Sequence, residues 1–196
     1  MKDILKLGGI LMLVTALAAA ALALANHLTK DEIDKEERKA ERISRSQALP
    51  DAAPFAIHPV KKDGKILYYK GYSKPDTTKL VGYAFIALGK GYSSVIKTMV
   101  GIDTTGKICG TKIISQKETP GLGTKIEEVK YGDKSEIPWF QKRLKGKMAN
   151  ELVVDKDGGK IESVSGATIS SRAVTNSIRE AIEKMLPIIR AEKNNQ

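Results

Sequence analysis

The sequence predicts an α+β domain, a largely antiparallel sheet with packed helices, carried behind one N-terminal transmembrane helix and a charged helical stalk. Three observations predict it. An uncharged apolar run fills residues 7–25. Four strand-like runs separated by short turns lie between residues 66 and 114. An apolar three-and-four spacing then closes the chain from Val174 onward. Strands first and helices later is the α+β order, and closely spaced strands favour antiparallel neighbours.

At about 20 residues, the apolar run is long enough to cross a bilayer core as a helix. Lys2 and Lys6 precede it, so the positive-inside tendency places the N-terminus in the cytoplasm. The main domain is then expected on the outer, periplasmic side of the inner (cell) membrane, held by a single pass. Ala23-Leu24-Ala25 also fits the small-x-small pattern of a cleaved signal peptide. The apolar run exceeds the usual signal core, so an uncleaved anchor over residues 1–28 is the expectation. Thr29-Lys30-Asp31-Glu32 has the capping-box pattern of a helix start. The mixed charges that follow to Arg45 suit a solvated helical stalk over residues 29–49. Pro50, Pro54 and Pro59 mark a break, and residues 50–196 are expected to form the domain.

Charge is unevenly placed. Residues 1–50 carry eight Lys/Arg against seven Asp/Glu, and the remainder carries 25 against 16, so +9 of the net +10 lies beyond residue 50. The lysines are scattered along turns and alternating segments without a dense run, and no nucleic-acid module appears, so nucleic acid is not an expected partner. A solvated basic surface is the default, with anionic lipid, cofactor or an acidic partner as secondary attractions. Cys109 is the single cysteine; no intrachain disulfide can form, and inside an apolar run it reads as a small core residue. His27 and His58 lack ligand-spaced neighbours, so no metal is expected. Neither paired carboxylates nor a Ser-His arrangement suggests a catalytic residue.

The strand-like runs cover residues 66–69, 80–88, 94–102 and 107–114. A short helix is expected over 137–144 and a brief strand over 152–154. From Val174, the positions Ile178, Ala181, Ile182, Met185 and Ile189 form one helix face. Ser170 or Ser171 is a natural N-cap for that helix. Ahead of it stands Ser165-Gly166-Ala167-Thr168. Gly166 and Ala167 leave little bulk beside the Thr168 hydroxyl, which lies near unpaired N–H groups and the positive end of the helix dipole. An anion, phosphate above all, is stabilised at such a place. The same residues also read as an ordinary Ser/Gly turn and cap.

A second segment, Glu118-Thr119-Pro120-Gly121-Leu122-Gly123-Thr124, follows the last strand run. Pro120-Gly121 forces a turn, Gly123 keeps the backbone reachable, and Leu122 is an apolar residue on an exposed loop. Such a loop offers polar backbone groups and one apolar contact to a flat, partly polar ligand. Taken alone, it reads first as a plain Pro-Gly turn.

Together the two segments resemble a family of membrane-anchored FMN-binding domains. Glu118–Gly123 is similar to that family's ETPGLG loop. Ser165–Thr168 is similar to its flavinylation motif, Asp-x-x-Ser/Thr-Gly-Ala-Thr. They occur in the family's order, about 45 residues apart, behind an anchor. Over its whole length the chain looks like the G subunits of Rnf ion-translocating electron-transport complexes. The C subunits of sodium-pumping NADH:quinone reductases are related and usually longer. The resemblance implies FMN joined by a phosphoester bond to Thr168, attached by a separate flavin transferase, with Ser165, Gly166 and Ala167 as the surrounding turn. It implies contacts near the ring from Thr119, Leu122, Gly123 and Glu118, with Tyr92 as a further ring neighbour or a structural tyrosine. Arg172 is a candidate to offset the phosphate charge. Implied partners are the other subunits of a membrane electron-transport complex and membrane lipid. Two positions depart from the family pattern: Glu162 stands where Asp is usual, and Gln116 where a histidine often precedes the loop. An anchored assembly or binding module without a cofactor is the reading from a different class.

Overall fold

The computed structural model describes residues 2–75, 79–132, 134–135 and 137–194. The chain divides into two compact units, the first ending at Ala40 and the second beginning at Glu41. Helix α1 spans Lys2–Ala48. Its apolar part is long enough to cross a membrane, with a mean hydropathy of 2.4 over 18 residues. Side chains along it, such as Leu11, Leu17 and Leu24, are exposed. No second helix starts at Thr29, contrary to the capping-box expectation. The Thr29 hydroxyl instead donates to the Ala25 carbonyl at 2.9 Å within the continuous helix, a back-bond to i−4 that competes with capping. Exposed pairs Lys35–Glu32 and Lys39–Glu36 run along its charged part.

The second unit holds a five-stranded sheet in sequence order, with every neighbouring pair antiparallel. The strands are β1 Ile57–Lys62, β2 Lys65–Tyr72, β3 Leu80–Lys90, β4 Val95–Asp103 and β5 Ile108–Ser115. Four of them lie where the sequence places strands. Strand β1 was not expected, because Pro59 reads as part of a linker. It lies at the sheet edge, where a missing N–H is tolerated. Asp63-Gly64, both at positive φ, closes the β1–β2 hairpin as a two-residue primed turn.

Alternation along the strands gives the sheet two apolar faces. On one, Tyr83, Phe85, Ile96, Val100, Ile102, Ile108 and Ile113 pack in a single buried cluster with Val174, Ile178, Ile182, Met185 and Ile189 of helix α3, Thr168–Asn194. The expected apolar stripe is therefore the buried face of α3. On the other, Tyr69, Ala84 and Met99 pack with Ala48, Leu49 and Ala52. Gly101 makes this second layer possible: a Cβ there would stand 2.0 Å from the Ala48 carbonyl oxygen. Arg45 lies over the Tyr69 ring at 4.4 Å, and the Tyr69 hydroxyl donates to Glu41 at 2.7 Å. Cys109 is half-buried at this second cluster, and burial pushes its thiol up to about 11.

After β5 the chain winds through short turns. Helix α2, Trp139–Leu144, starts behind Pro138, with Phe140 and Leu144 buried. The brief strand expected over 152–154 is reduced to one parallel bridge, Val154 to Ile161. The reason is local. A 3-10 turn at Asp155–Asp157 follows at once, leaving no room for a ladder.

Candidate functional site

Two turns face one another between the end of the sheet and the start of α3. The first runs through residues 116–124. Leu122 N–H and Thr124 N–H both donate to the Thr119 carbonyl, at 3.1 and 3.4 Å. Gly121 takes a φ of 72°, as its turn demands. The second is a β-turn from Val164 to Ala167, closed by Ala167 N–H donating to the Val164 carbonyl at 2.9 Å. Gly166 supplies the positive φ, 76°, at its third position.

Helix α3 begins at Thr168, two or three residues earlier than the expected caps at Ser170 and Ser171. Both hydroxyls serve other partners. Ser171 Oγ accepts the Val164 N–H at 3.0 Å, fastening the turn to the helix. Ser170 Oγ donates to Glu118 at 2.5 Å, across to the opposite turn. The first N–H to reach back along the helix is that of Ser171, to the Ala167 carbonyl. The N–H groups of Thr168, Ile169 and Ser170 therefore lack acceptors within the helix, as at any helix start.

Between the turns lies a cleft of about 570 Å³, a usual size for a small-molecule site. Of the residues expected at the site, Tyr92, Glu118, Thr119, Leu122, Gly123, Gly166, Ala167 and Thr168 line it. Ser165 is exposed in the turn beside it and is not part of the lining. Ile169 and Ser170 also line it and were not anticipated in that role. Ile169 carried a usable signal: it is an apolar residue off the buried stripe at the helix start. It is half exposed, as is Leu122, and Tyr92 is largely exposed. These three give the cleft apolar contact surface.

Glu118 is the buried centre of the arrangement, with 4% of its surface exposed. One carboxylate oxygen accepts the N–H groups of Ser93 and Ser94 and the Ser94 hydroxyl, at 2.9–3.0 Å. The other accepts the Tyr92 N–H at 2.9 Å and the Ser170 hydroxyl. Burial alone would raise its pKa. The Ser170, Tyr92, Ser93 and Ser94 donors outweigh that and bring it down to about 2. A Cβ on Gly123 would stand 2.6 Å from the Glu118 Cβ, so glycine is what lets the loop close over this carboxylate.

Most serine and threonine hydroxyls around the cleft are engaged, and that of Ser165, exposed beside it, has no partner among the described residues. Ser93 and Thr119 face each other at 3.3 Å, and Ser94, Ser170, Ser171 and Thr175 all have protein partners. Among the described residues, the Thr168 hydroxyl has none, and it is the half-buried one that lines the cleft at the helix start. Among the described residues, no Lys or Arg is part of that lining. Arg172, expected to offset an anion, is engaged elsewhere: it holds Asp157 through two bonds of 2.7 and 2.6 Å. Of the two departures, Glu162 is exposed and paired with Arg143. Gln116 accepts the Glu118 N–H at 2.7 Å and donates to Glu127 at 2.9 Å, bracing the loop from behind.

Residues 91–183 match the FMN-binding domain family, and residues 1–47 match the RnfG N-terminal region. The G subunit of the Na(+)-translocating ferredoxin:NAD(+) oxidoreductase complex of Acetobacterium woodii is 33% identical over 200 residues, covering 93% of this chain and 91% of that protein. The G subunit of the ion-translocating oxidoreductase complex of Vibrio vulnificus is 31% identical over 196 residues, covering 93% and 90%. The crystal structure of Shewanella oneidensis NqrC aligns with 72% of this chain and 74% of its own, at 21% identity and a TM-score of 0.44. The chain belongs to the family of G subunits of Rnf ion-translocating oxidoreductase complexes.

Proposed function

We propose that the protein is the electron-transfer subunit of a membrane-bound ion-translocating ferredoxin:NAD oxidoreductase complex, and that it carries FMN in phosphoester linkage to Thr168. The observation that carries this reading is the uncommitted Thr168 hydroxyl on the cleft wall, at the start of a 27-residue helix whose first N–H groups are free. That donor set suits a phosphate diester. Leu122, Ile169 and the Tyr92 ring suit a flat, partly apolar ring system, and the cleft is large enough to hold one.

FMN, when bound, supplies one- and two-electron redox chemistry that no side chain of this cleft offers. The chain's own residues hold and shelter it. Thr168 Oγ1 would hold the FMN phosphate as an ester, its proton leaving with the other half of an activated FMN donor as that donor's P–O bond breaks. A separate flavin transferase runs that step. The helix start then offsets the phosphate charge through N–H groups in place of a cation. Thr119 and the loop backbone offer polar contacts, and Ser165 and Gly166 keep the turn open beside the attachment point.

Residues 1–28 serve as a single-pass anchor with a cytoplasmic N-terminus, supported by Lys2 and Lys6 ahead of the apolar run. Residues 29–49 form the helical connection, and residues 50–196 the flavin domain on the outer side. A covalent bond keeps the cofactor on that side, away from its supply. Other complex subunits and membrane lipid are the standing partners. Co-expression with a flavin transferase, denaturation and ultraviolet inspection of the gel band tests the reading. A fluorescent band in the wild type that is lost in Thr168→Val supports it; a dark wild-type band beside active transferase refutes it.

A further inference from the structure

We propose that Glu118 is the positioning residue of the cleft: its buried carboxylate ties three separate elements together and thereby sets where Thr168 stands relative to the opposite wall. The inference rests on the flavin reading above for its consequence, but its geometry stands by itself.

The three elements are the β3–β4 turn, the 116–124 loop and the first turn of α3. Glu118 belongs to the loop. It receives the N–H groups of Tyr92, Ser93 and Ser94 from the β3–β4 turn, and the Ser170 hydroxyl from α3, 52 residues away in the chain. Ser94 Oγ closes the knot further, donating to Glu118 while accepting the Lys117 N–H at 2.8 Å. Without the carboxylate, the buried Ser170 hydroxyl would be left without an acceptor, and the part-buried amides of the β3–β4 turn would lose the acceptor that holds them to the loop. Chemical type matters as well as size. Every group aimed at the carboxylate is a donor, so an amide of the same shape would turn its own NH₂ against them. A neutral acid would do the same with its O–H.

This arrangement separates two roles within one loop. Thr119, Leu122 and Gly123 present themselves to the cleft, whereas the Glu118 carboxylate, although on the wall, is spent entirely on protein donors. Its influence on a ligand is therefore indirect, through the placement of Ser170 and so of Thr168, two residues earlier on the same helical turn.

The test uses the full chain in detergent, wild type, Glu118→Gln and Ser170→Ala, each co-expressed with a flavin transferase. Two readouts are taken: deuterium exchange of the peptide spanning residues 91–95, and the visible circular dichroism of the flavin, which reports ring immobilisation. The wild type should protect the Tyr92, Ser93 and Ser94 amides although their residues are exposed or half-buried. In Glu118→Gln that protection should fall by about tenfold or more, equivalent to the loss of one charge-assisted bond, with a weakened flavin dichroism in protein that remains folded. Ser170→Ala should keep the amide protection and still weaken the dichroism, because only the link to α3 is cut. Unprotected amides in the wild type, or unchanged readouts in a folded Glu118→Gln, would overturn the proposal. If Glu118→Gln does not fold, Ser170→Ala decides: unaltered dichroism there overturns it. A wild type that takes up no flavin would defeat the Thr168 reading instead, while the amide exchange would still judge Glu118.

Discussion

The two turns that meet across the cleft are built on opposite plans. The 116–124 loop is fastened by a buried, ionised side chain with five donors on its carboxylate. The Val164–Thr168 turn is fastened by backbone geometry and by the Ser171 hydroxyl taking the Val164 N–H. Of its own two hydroxyls that are uncommitted among the described residues, Ser165 and Thr168, it presents that of Thr168 to the cleft. A reactive group has to be uncommitted, and a wall has to be committed. The chain meets both needs with the same residue types, hydroxyls and a carboxylate, by spending them differently on each side.

The largest expected effect comes from breaking the committed side. Glu118→Ala leaves the buried Ser170 hydroxyl and four part-buried donors without their acceptor, and we expect a loss of about 3–5 kcal/mol in unfolding free energy, read from urea denaturation of the full chain in detergent. The equivalent truncation at Thr168 should leave stability nearly unchanged, because that hydroxyl bonds nothing among the described residues. Equal losses at the two positions would erase the contrast.

Acid sharpens the same comparison. The Glu118 carboxyl is buried but held at about 2 by Ser170, Tyr92, Ser93 and Ser94, below its ordinary 4.5. A depressed carboxyl contributes stability that is fully present above the unfolded pKa and lost as pH falls through the folded one. The advantage of wild type over Glu118→Gln, about 3 kcal/mol near neutrality, should therefore hold down to about pH 4.5 and shrink toward pH 2. Denaturation midpoints at stepped pH check this, and an advantage that ignores pH would contradict it.

A smaller loss than at Glu118 is expected from the backbone of the open side. Gly166 holds φ at 76°, and a Cβ there would also lie 3.3 Å from Leu122 Cδ2. Gly166→Ala should cost about 1–2 kcal/mol through the left-handed backbone alone, visible as a modest fall in the thermal midpoint.

Much of this molecule was legible in its sequence where the signal was local. The α3 stripe from Val174 to Ile189 is a periodicity, and the four inner and following strands are apolar runs between turns. Strand β1 escaped because Pro59 suggested a linker, although Asp63-Gly64 marked the hairpin. The helix start at Thr168 was misplaced because Ser170 and Ser171 look like caps. Only the fold shows that their hydroxyls serve Glu118 and Val164. The second sheet face was hidden for a similar reason: Ala48 and Leu49 end a stretch that reads as charged and solvated, and nothing local says that Gly101 waits beneath them. For the site, residue types and order pointed to seven of the cleft's lining residues, and the family resemblance added Tyr92. The resemblance to a known family joined the two segments, which lie far apart in the chain. The division of labour between Glu118 and Thr168 depends on partners from three elements, and no local pattern encodes it. Arg172 shows the converse, a cation well placed in sequence and taken by Asp157 in space.

Attachment of FMN at Thr168 is tested most sharply by intact-mass measurement of the full chain after co-expression with a flavin transferase. Wild type should gain the mass of one FMN less one water, peptide mapping should put it on Thr168, and Thr168→Val should stay unmodified. A wild type of unmodified mass beside an active transferase, or an adduct on any other residue, would contradict attachment there.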